Sequence, residues 1–139
     1  MAGLTMPTVK FGYTICYVEH VDCELSFFQQ AFGFHQRFLH ESGDYGELNT
    51  GDTVLAFAQQ ALALSHFAGG VLPISNSNPP QATEVVLVTT QLLETHQHAL
   101  ACGAIELSPP TQKPWGQSVS YVRSPQGVLI ELCTPISDL

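Results

Sequence analysis

The apolar positions near the start of the chain follow the period of a strand and then that of a helix. The stretch YTICYV, residues 13 to 18, is rich in β-branched and aromatic residues and predicts a strand. The next apolar positions recur at spacings of four, three and four residues, as on one face of a helix: Val21, Leu25, Phe28 and Phe32. Gly33 follows directly, where a left-handed residue ends many helices. We therefore predict a strand and then an amphipathic helix that ends at Gly33.

The second part of the chain has the same order of patterns. EVVLV, residues 84 to 88, predicts a strand. A helical stripe precedes Gly103 and comprises Leu92, His96, Ala99 and Leu100. Turn residues predict hairpins at residues 49–52 and at SPQG, residues 124–127. Each half therefore predicts a strand, a helix and about three strands.

The two halves also align with each other. VEHVDCELSFFQQAFGF from Val18 aligns without gaps on VTTQLLETHQHALACGA from Val88, an offset of 70 residues (88 − 18). The same offset places Gln117 on Glu47, whereas residues 54–57 fit residues 129–132 at an offset of 75. We infer one α+β domain built from two βαβββ modules. Its expected parts are residues 1–139 for the domain, about 9–60 for module one, 61–82 for the connection and 83–136 for module two.

The connection between the modules is dense in Gly, Pro, Ser and Asn, particularly over residues 65–83. Loops of this length inside one domain are usually binding loops or mobile linkers. Two interpretations stay open at this point: a plain tether, or a lid that folds over a site.

One carboxylate interrupts the last apolar strand, GVLIEL, residues 127 to 132. Val128, Ile130 and Leu132 share one face of that strand, so Glu131 points the other way, beside Leu129. An ionised carboxylate is costly in a sealed apolar environment unless it is paired. A face that lines a wet cavity fits the pattern, although a backbone amide or Arg123 could also satisfy Glu131.

Composition and charge narrow the class of partner. The chain has 139 residues, 45% hydrophobic and 12% charged, with a net charge of −8, which suits a globular domain that repels phosphate backbones and anionic membranes. We expect no nucleic acid and no membrane as partner, and we expect cationic or neutral ligands.

The start of the chain lacks the apolar stretch of a signal peptide, which favours a cytoplasmic location. The four cysteines form no C-x-x-C pair, so neither a disulfide framework nor a zinc knuckle is indicated.

Two motifs resemble one known family. V-x-x-V-D-x-x-x-x-F-F-x-x-x-F-G-F begins at Val18, and W-G-Q-S-V-S-Y-V-R-S-P-Q-G-V-L-I-E-L begins at Trp115. Together with the repeat, they resemble the vicinal oxygen chelate superfamily of glyoxalases, bleomycin-resistance proteins and extradiol dioxygenases. The resemblance covers residues 11–135 and implies two modules that form a curved mixed sheet around one cleft. It also implies a homodimer.

Enzymes of this family hold a divalent metal through four side chains in the cleft. By resemblance the four positions are Tyr13, Ala56, Glu84 and Glu131, of which at least two depart from the catalytic pattern. We therefore expect no cofactor and no metal; if a divalent metal binds, Glu84, Glu131 and Tyr13 are its candidate ligands. No catalytic residue is identified. The residues expected to line the cleft and bind a ligand are Tyr13, Ile15, Tyr17, Ala56, Glu84, Val86, Trp115, Gln117, Tyr121 and Glu131.

The resemblance is closest to the bleomycin-resistance-like members and implies a metal-independent protein that sequesters an aromatic or cationic small molecule in an apolar cleft. Drug resistance is the role this implies. The alternative is a metal-dependent lyase, isomerase or oxidoreductase that uses Glu84 and Glu131. A third interpretation is a vestigial cleft in a protein that acts through its oligomer. Two interpretations stay open for Trp115: its side chain lines the cleft, or it is buried in the hydrophobic core at the end of a strand.

Overall fold

A computed structural model describes residues 5–136 of the chain. Module one forms a four-stranded mixed sheet in the order β1-β4-β3-β2, with β1 parallel to β4 and the other pairs antiparallel. Its elements are β1 (Thr14–Val18), α1 (Val21–Phe32), β2 (His35–Leu39), β3 (Tyr45–Asn49) and β4 (Val54–Gln59).

Module two has the same architecture, with strand order β5-β8-β7-β6. The connection contains the short helix α2 (Leu62–His66). The elements of module two are β5 (Val85–Val88), α3 (Leu92–Ala101), β6 (Ile105–Gln112), β7 (Ser118–Arg123) and β8 (Leu129–Cys133). The predicted α+β class and the doubled order of elements are confirmed, and β1 and β5 each begin one residue later than predicted.

Helix α1 forms where the apolar stripe predicted it. Leu25 and Phe28 are buried on the side that faces the sheet, where Phe28 packs on Phe57 with ring centroids 5.2 Å apart. Gly33 ends the helix at φ 77°, and its N–H donates to the carbonyl of Gln29. The positive φ explains the glycine, because a side chain is strained there.

The pairing register corrects one part of the predicted repeat. Glu47 lies opposite Ala56 in module one, and Tyr121 lies opposite Glu131 in module two. Tyr121 therefore occupies the place of Glu47, and the prediction that Gln117 does so is wrong. The reason is that β6 has eight residues and two register irregularities where β2 has five residues, so the offset changes before β7 begins.

The connection is held against the turn between β7 and β8. Arg123, which is 5% exposed, donates to the carbonyls of Asn78 at 2.7 Å, Ser75 at 2.9 Å and Gly127 at 3.0 Å. The side chain of Asn76 donates to the carbonyl of Pro125 at 2.9 Å. Residues 75–78 are thus fixed on module two, so this part of the connection is not a free tether.

The two modules meet chiefly through helices α1 and α3, on the side of each sheet that carries the core. His98 Nε2 donates to the carbonyl of Gln30 at 2.9 Å, and the backbone of His20 exchanges two hydrogen bonds of 2.6 Å with the side chain of Gln126. The opposite faces of the two sheets are left open. Most of the residues predicted to line the cleft lie on these opposite faces.

In the part of the chain from residue 5 to residue 136, no helix is both long enough and apolar enough to cross a membrane.

Candidate functional site

The predicted site residues fall on two surfaces. We call face one the side of the module-one sheet that points away from α1; it carries Tyr13, Ile15, Tyr17, Tyr45 and Glu47. We call face two the corresponding side of the module-two sheet; it carries Glu84, Val86, Tyr121, Glu131 and Cys133. Strand alternation places these residues together because every second side chain points to the same side of a sheet.

The register of the first strands places Tyr13 and Glu84 at corresponding points of the two modules. Ile15 pairs with Ala56, and Val86 pairs with Glu131. Tyr13 and Glu84 each lie two residues before these paired residues, at equivalent places in the two modules.

Face two has a polar centre made by two acids and a phenol. The hydroxyl of Tyr121 donates to Glu131 Oε1 at 2.8 Å. This hydrogen bond, partial desolvation and the negative charge of Glu131 raise the pKa of Tyr121 to about 12, so the phenol stays protonated at neutral pH. The pKa of Glu84 is also raised, by desolvation and by its hydrogen bond and charge repulsion with Glu131. The protonated form of Glu84 is therefore favoured by its position beside Glu131.

The partner of Glu131 is Tyr121 and not Arg123. All three donor groups of Arg123 are engaged by backbone carbonyls at the end of the strand. The expectation that Arg123 could neutralise Glu131 is therefore wrong. Glu131 lies on a half-buried surface, where a cation of a ligand could reach it.

Cys133 lies on the same face as Glu131, a neighbour that the sequence did not mark as functional. Burial and the nearby carboxylate raise the pKa of its thiol. A thiol is nucleophilic as the thiolate, so Cys133 has little such character at neutral pH.

Trp115 and Gln117 lie in the loop before β7, at the edge of face two. The indole Nε1–H of Trp115 donates to Gln117 Oε1 at 2.8 Å, and Gln117 Nε2 donates to the carbonyl of Thr134 at 2.9 Å. Trp115 is 65% exposed, so its side chain is not buried in the hydrophobic core. Gln117 orients the indole, whose ring surface remains accessible.

Face one presents half-exposed apolar residues and one carboxylate that sequence reasoning missed. Tyr13 is 52% exposed, whereas Ala56 is fully buried and offers no surface to a ligand in this chain. Glu47 accepts a hydrogen bond from the Tyr45 hydroxyl at 2.7 Å and contacts Arg37 Nε at 3.3 Å. Desolvation and Glu47 raise the pKa of Tyr45. The alternation of Tyr45 and Glu47 along β3 was the available signal, but their partner strand could not be read from it.

The donor set does not fit a metal centre within one chain. Among residues 5–136, no group of three or more His, Cys, Asp or Glu side chains is arranged to hold a metal ion. Glu84 and Glu131 lie on face two, and the third candidate ligand, Tyr13, lies on face one. Two carboxylates without a third protein ligand are a poor site for a transition metal.

A groove with a volume of about 450 Å³ lies beside the predicted site. Its walls come from β5 and from the ends of β1 and β4, and of the predicted site residues only Glu84 and Val86 line it. The lining is mainly apolar, with the hydroxyls of Thr14, Thr50 and Thr53. Of the two carboxylates, only Glu84 lines this groove. We therefore infer the kind of ligand from the chemistry of the carboxylate pair and not from the shape of the groove.

Comparison with known proteins identifies the family. Residues 10–132 match the family model described as the Glyoxalase/Bleomycin resistance protein/Dioxygenase superfamily. The chain belongs to this superfamily. Among curated proteins, none matches the chain significantly.

Solved structures share the fold at low sequence identity. A glyoxalase-related enzyme from Fulvimarina pelagi is 17% identical, with a TM-score of 0.76, and the match covers 91% of this chain and 88% of that one. A lactoylglutathione lyase from Agrobacterium tumefaciens is 16% identical, with a TM-score of 0.69 and coverage of 94% and 97%. TioX from Micromonospora sp. ML1 is 19% identical, with a TM-score of 0.64 and coverage of 89% and 98%. At these identities the likeness concerns the fold alone.

Proposed function

We propose that this chain is a metal-independent binding protein of the bleomycin-resistance type, which sequesters an aromatic or cationic small molecule. The observation that carries the proposal is the pair Glu84 and Glu131 on face two, with Tyr121 hydrogen-bonded to Glu131. A bound cation would relieve the repulsion between the two acids. Sequestration of a toxic compound in this way would give drug resistance.

Exposed apolar surface on face two suits a flat ring. Val86, which pairs with Glu131, is 47% exposed, and Trp115, in the loop before β7, is 65% exposed. Aromatic faces attract cations as well as other rings, and an indole gives the strongest cation–π contact. The preferred ligand is therefore a flat compound with a positive charge.

A homodimer is part of the proposal. Large apolar side chains stay exposed along the open edges of β1 and β5, including Phe11 at 82% and Val88 at 63%. A second copy related by a twofold axis would cover these side chains and bring face one beside face two. Sedimentation equilibrium should give twice the mass of the chain; a monomer at micromolar concentration would contradict this part.

The alternative is a metal-dependent lyase, isomerase or oxidoreductase that uses Glu84 and Glu131. It would need a third ligand supplied by a second copy. Elemental analysis of the purified protein, followed by titration with Mg²⁺, Mn²⁺, Ni²⁺ and Zn²⁺ in a thermal-shift assay, separates the two classes. A stoichiometric metal that is lost in Glu84→Ala or Glu131→Ala would overturn the proposal.

The binding test uses proflavine, a fluorescent aromatic cation, and acridine, the related ring that is uncharged at neutral pH. Glu131→Gln removes the charge but keeps an acceptor for Tyr121, so we expect proflavine to bind about tenfold more weakly, or about 1.4 kcal/mol. Acridine binding should change little. Glu94→Gln, at an exposed position on α3, is the control with the same change in net charge. Equal loss in both variants, or no loss in either, would contradict a direct role for Glu131.

A further inference from the structure

Face one carries a guanidinium group whose position is set by the strand itself. Arg37 lies at a register shift in β2, between Gln36, which pairs with Leu48, and Phe38, which pairs with Glu47. A bulge of this kind redirects a side chain, and such irregularities are frequent next to binding sites. Here it directs Arg37 to the side of the sheet that carries Glu47.

The guanidinium is held through one of its nitrogens. Arg37 Nε lies 3.3 Å from Glu47 Oε1, and the other oxygen of Glu47 accepts a hydrogen bond of 2.7 Å from the Tyr45 hydroxyl. The Glu47 side chain is only 17% exposed, whereas the Arg37 side chain is 58% exposed. Glu47, held by Tyr45, thus forms an ion pair with a guanidinium that remains open to solvent.

The outer edge of this guanidinium is available to a ligand. Within residues 5–136, Arg37 pairs with Glu47 through Nε, and its terminal nitrogens donate to no protein acceptor. Arg123, the only other arginine, is buried with its donors satisfied. A carboxylate accepts two parallel hydrogen bonds from a guanidinium, which a point charge such as ammonium cannot match.

Aromatic surface lies on the same face, beginning with the residue that follows Arg37 in β2. Phe38, which is 45% exposed, packs near Tyr45 and near His40, with ring centroids 6.3 Å apart in both pairs. Tyr13 adds a half-exposed ring on the same face. A ligand with a flat ring and a carboxylate could therefore contact the aromatic side chains with its ring and the N–H groups of Arg37 with its carboxylate.

We propose that face one is a binding site for an aromatic carboxylate, in which Arg37 binds the carboxylate and Phe38 contacts the ring. The net charge of −8 repels anions at long range, so recognition must come from this local geometry. The site lies within one chain and on the other face from the Glu84–Glu131 pair. Its residues are therefore different from those that carry the proposed function.

The test is a titration of isotope-labelled protein with 2-naphthoate, followed by NMR. The Nε–H signal of Arg37 and the backbone signals of β2 and β3 report on face one, and those of β5 and β8 report on face two. We expect saturable shifts on face one with 2-naphthoate, and about tenfold weaker binding of the uncharged 2-naphthamide. Arg37→Gln should weaken 2-naphthoate by about tenfold, and Arg37→Lys should restore only part of the loss.

Lys113→Gln, which removes one positive charge in module two, is the matched control and should leave 2-naphthoate binding unchanged. The spectrum of each free variant shows whether the fold is retained, and the exposure of Arg37 on an edge strand makes retention the expected result. The proposal is overturned if 2-naphthoate causes no saturable shift or if its shifts lie on face two. Equal affinity for the amide, or for the Arg37→Gln variant, would overturn it as well.

Discussion

Glu24 should make the stability of the protein depend on pH through the contact between its modules. This residue of α1 is fully buried, and the hydroxyl of Ser124 in the β7–β8 turn donates to its Oε2 at 2.7 Å. Its Oε1 has no hydrogen-bond partner in the described part of the chain. An ionised carboxylate in this position lacks the solvation that it would have in water, so its charged form is disfavoured.

The size of the effect follows from the pKa. Desolvation raises the pKa of Glu24 from 4.5 to about 7, although the hydrogen bond from Ser124 opposes the shift. The folded pKa lies above the unfolded one, so the stability is fully present below pH 4.5 and is lost as the pH rises through about 7. A shift of about 2.5 units corresponds to about 3 kcal/mol at pH 8.

Glu24→Gln removes this dependence, because an amide stays neutral and can still accept the hydrogen bond from Ser124. We expect the variant to be about 1 to 3 kcal/mol more stable than the original chain at pH 8, and near it or slightly less stable at pH 5 because the buried amide N–H lacks an acceptor. Urea unfolding at both pH values measures the difference, with Glu94→Gln as the exposed control. If the original chain and Glu24→Gln lose the same stability between pH 5 and pH 8, the reasoning is refuted.

Two further substitutions test packing and the position of the connection. In Gly46→Ala the new Cβ would lie 2.5 Å from Cδ1 of the buried Leu25, so we expect a loss of about 1 to 3 kcal/mol in urea unfolding. Gly12→Ala, where nothing lies within 4 Å, is the control, and equal stability of the two variants would contradict the prediction. Arg123→Met leaves three carbonyls without their donor and should cost about 2 to 4 kcal/mol. It should also speed proteolytic cleavage at residues 75–78; an unchanged cleavage rate would show that Arg123 does not hold the connection.

The features predicted correctly from sequence are those that neighbouring residues encode. The stripe from Val21 to Phe32 faces the core, and Gly33 has the positive φ that its place after the stripe indicated. Tyr13 and Glu84 lie at equivalent places in the two modules, because counting back from each helix end follows a continuous stretch of chain. Periodicity and turn chemistry act over a few residues, so one sequence suffices to read them.

The features that were missed depend on which strand lies beside which. The extra residues of β6 moved Tyr121, and not Gln117, into the place opposite Glu131. A bulge in β2 brought Arg37 to Glu47, and no local pattern marks a bulge of this kind. Strand register is set by contacts between distant segments, so a shift of one or a few residues changes every pair across the ladder.

The sequence by itself determined the family, the two modules with their order of elements, and the acids Glu84 and Glu131 as candidates for one face. Only the tertiary structure decided that Tyr121 is the partner of Glu131, that Arg123 holds the connection, and that the modules of one chain meet through their helices. The physical reason is the distance along the chain over which each property is set. Side-chain period and backbone turns are local properties, whereas the docking of modules and the partners of buried charges depend on segments that are far apart along the chain.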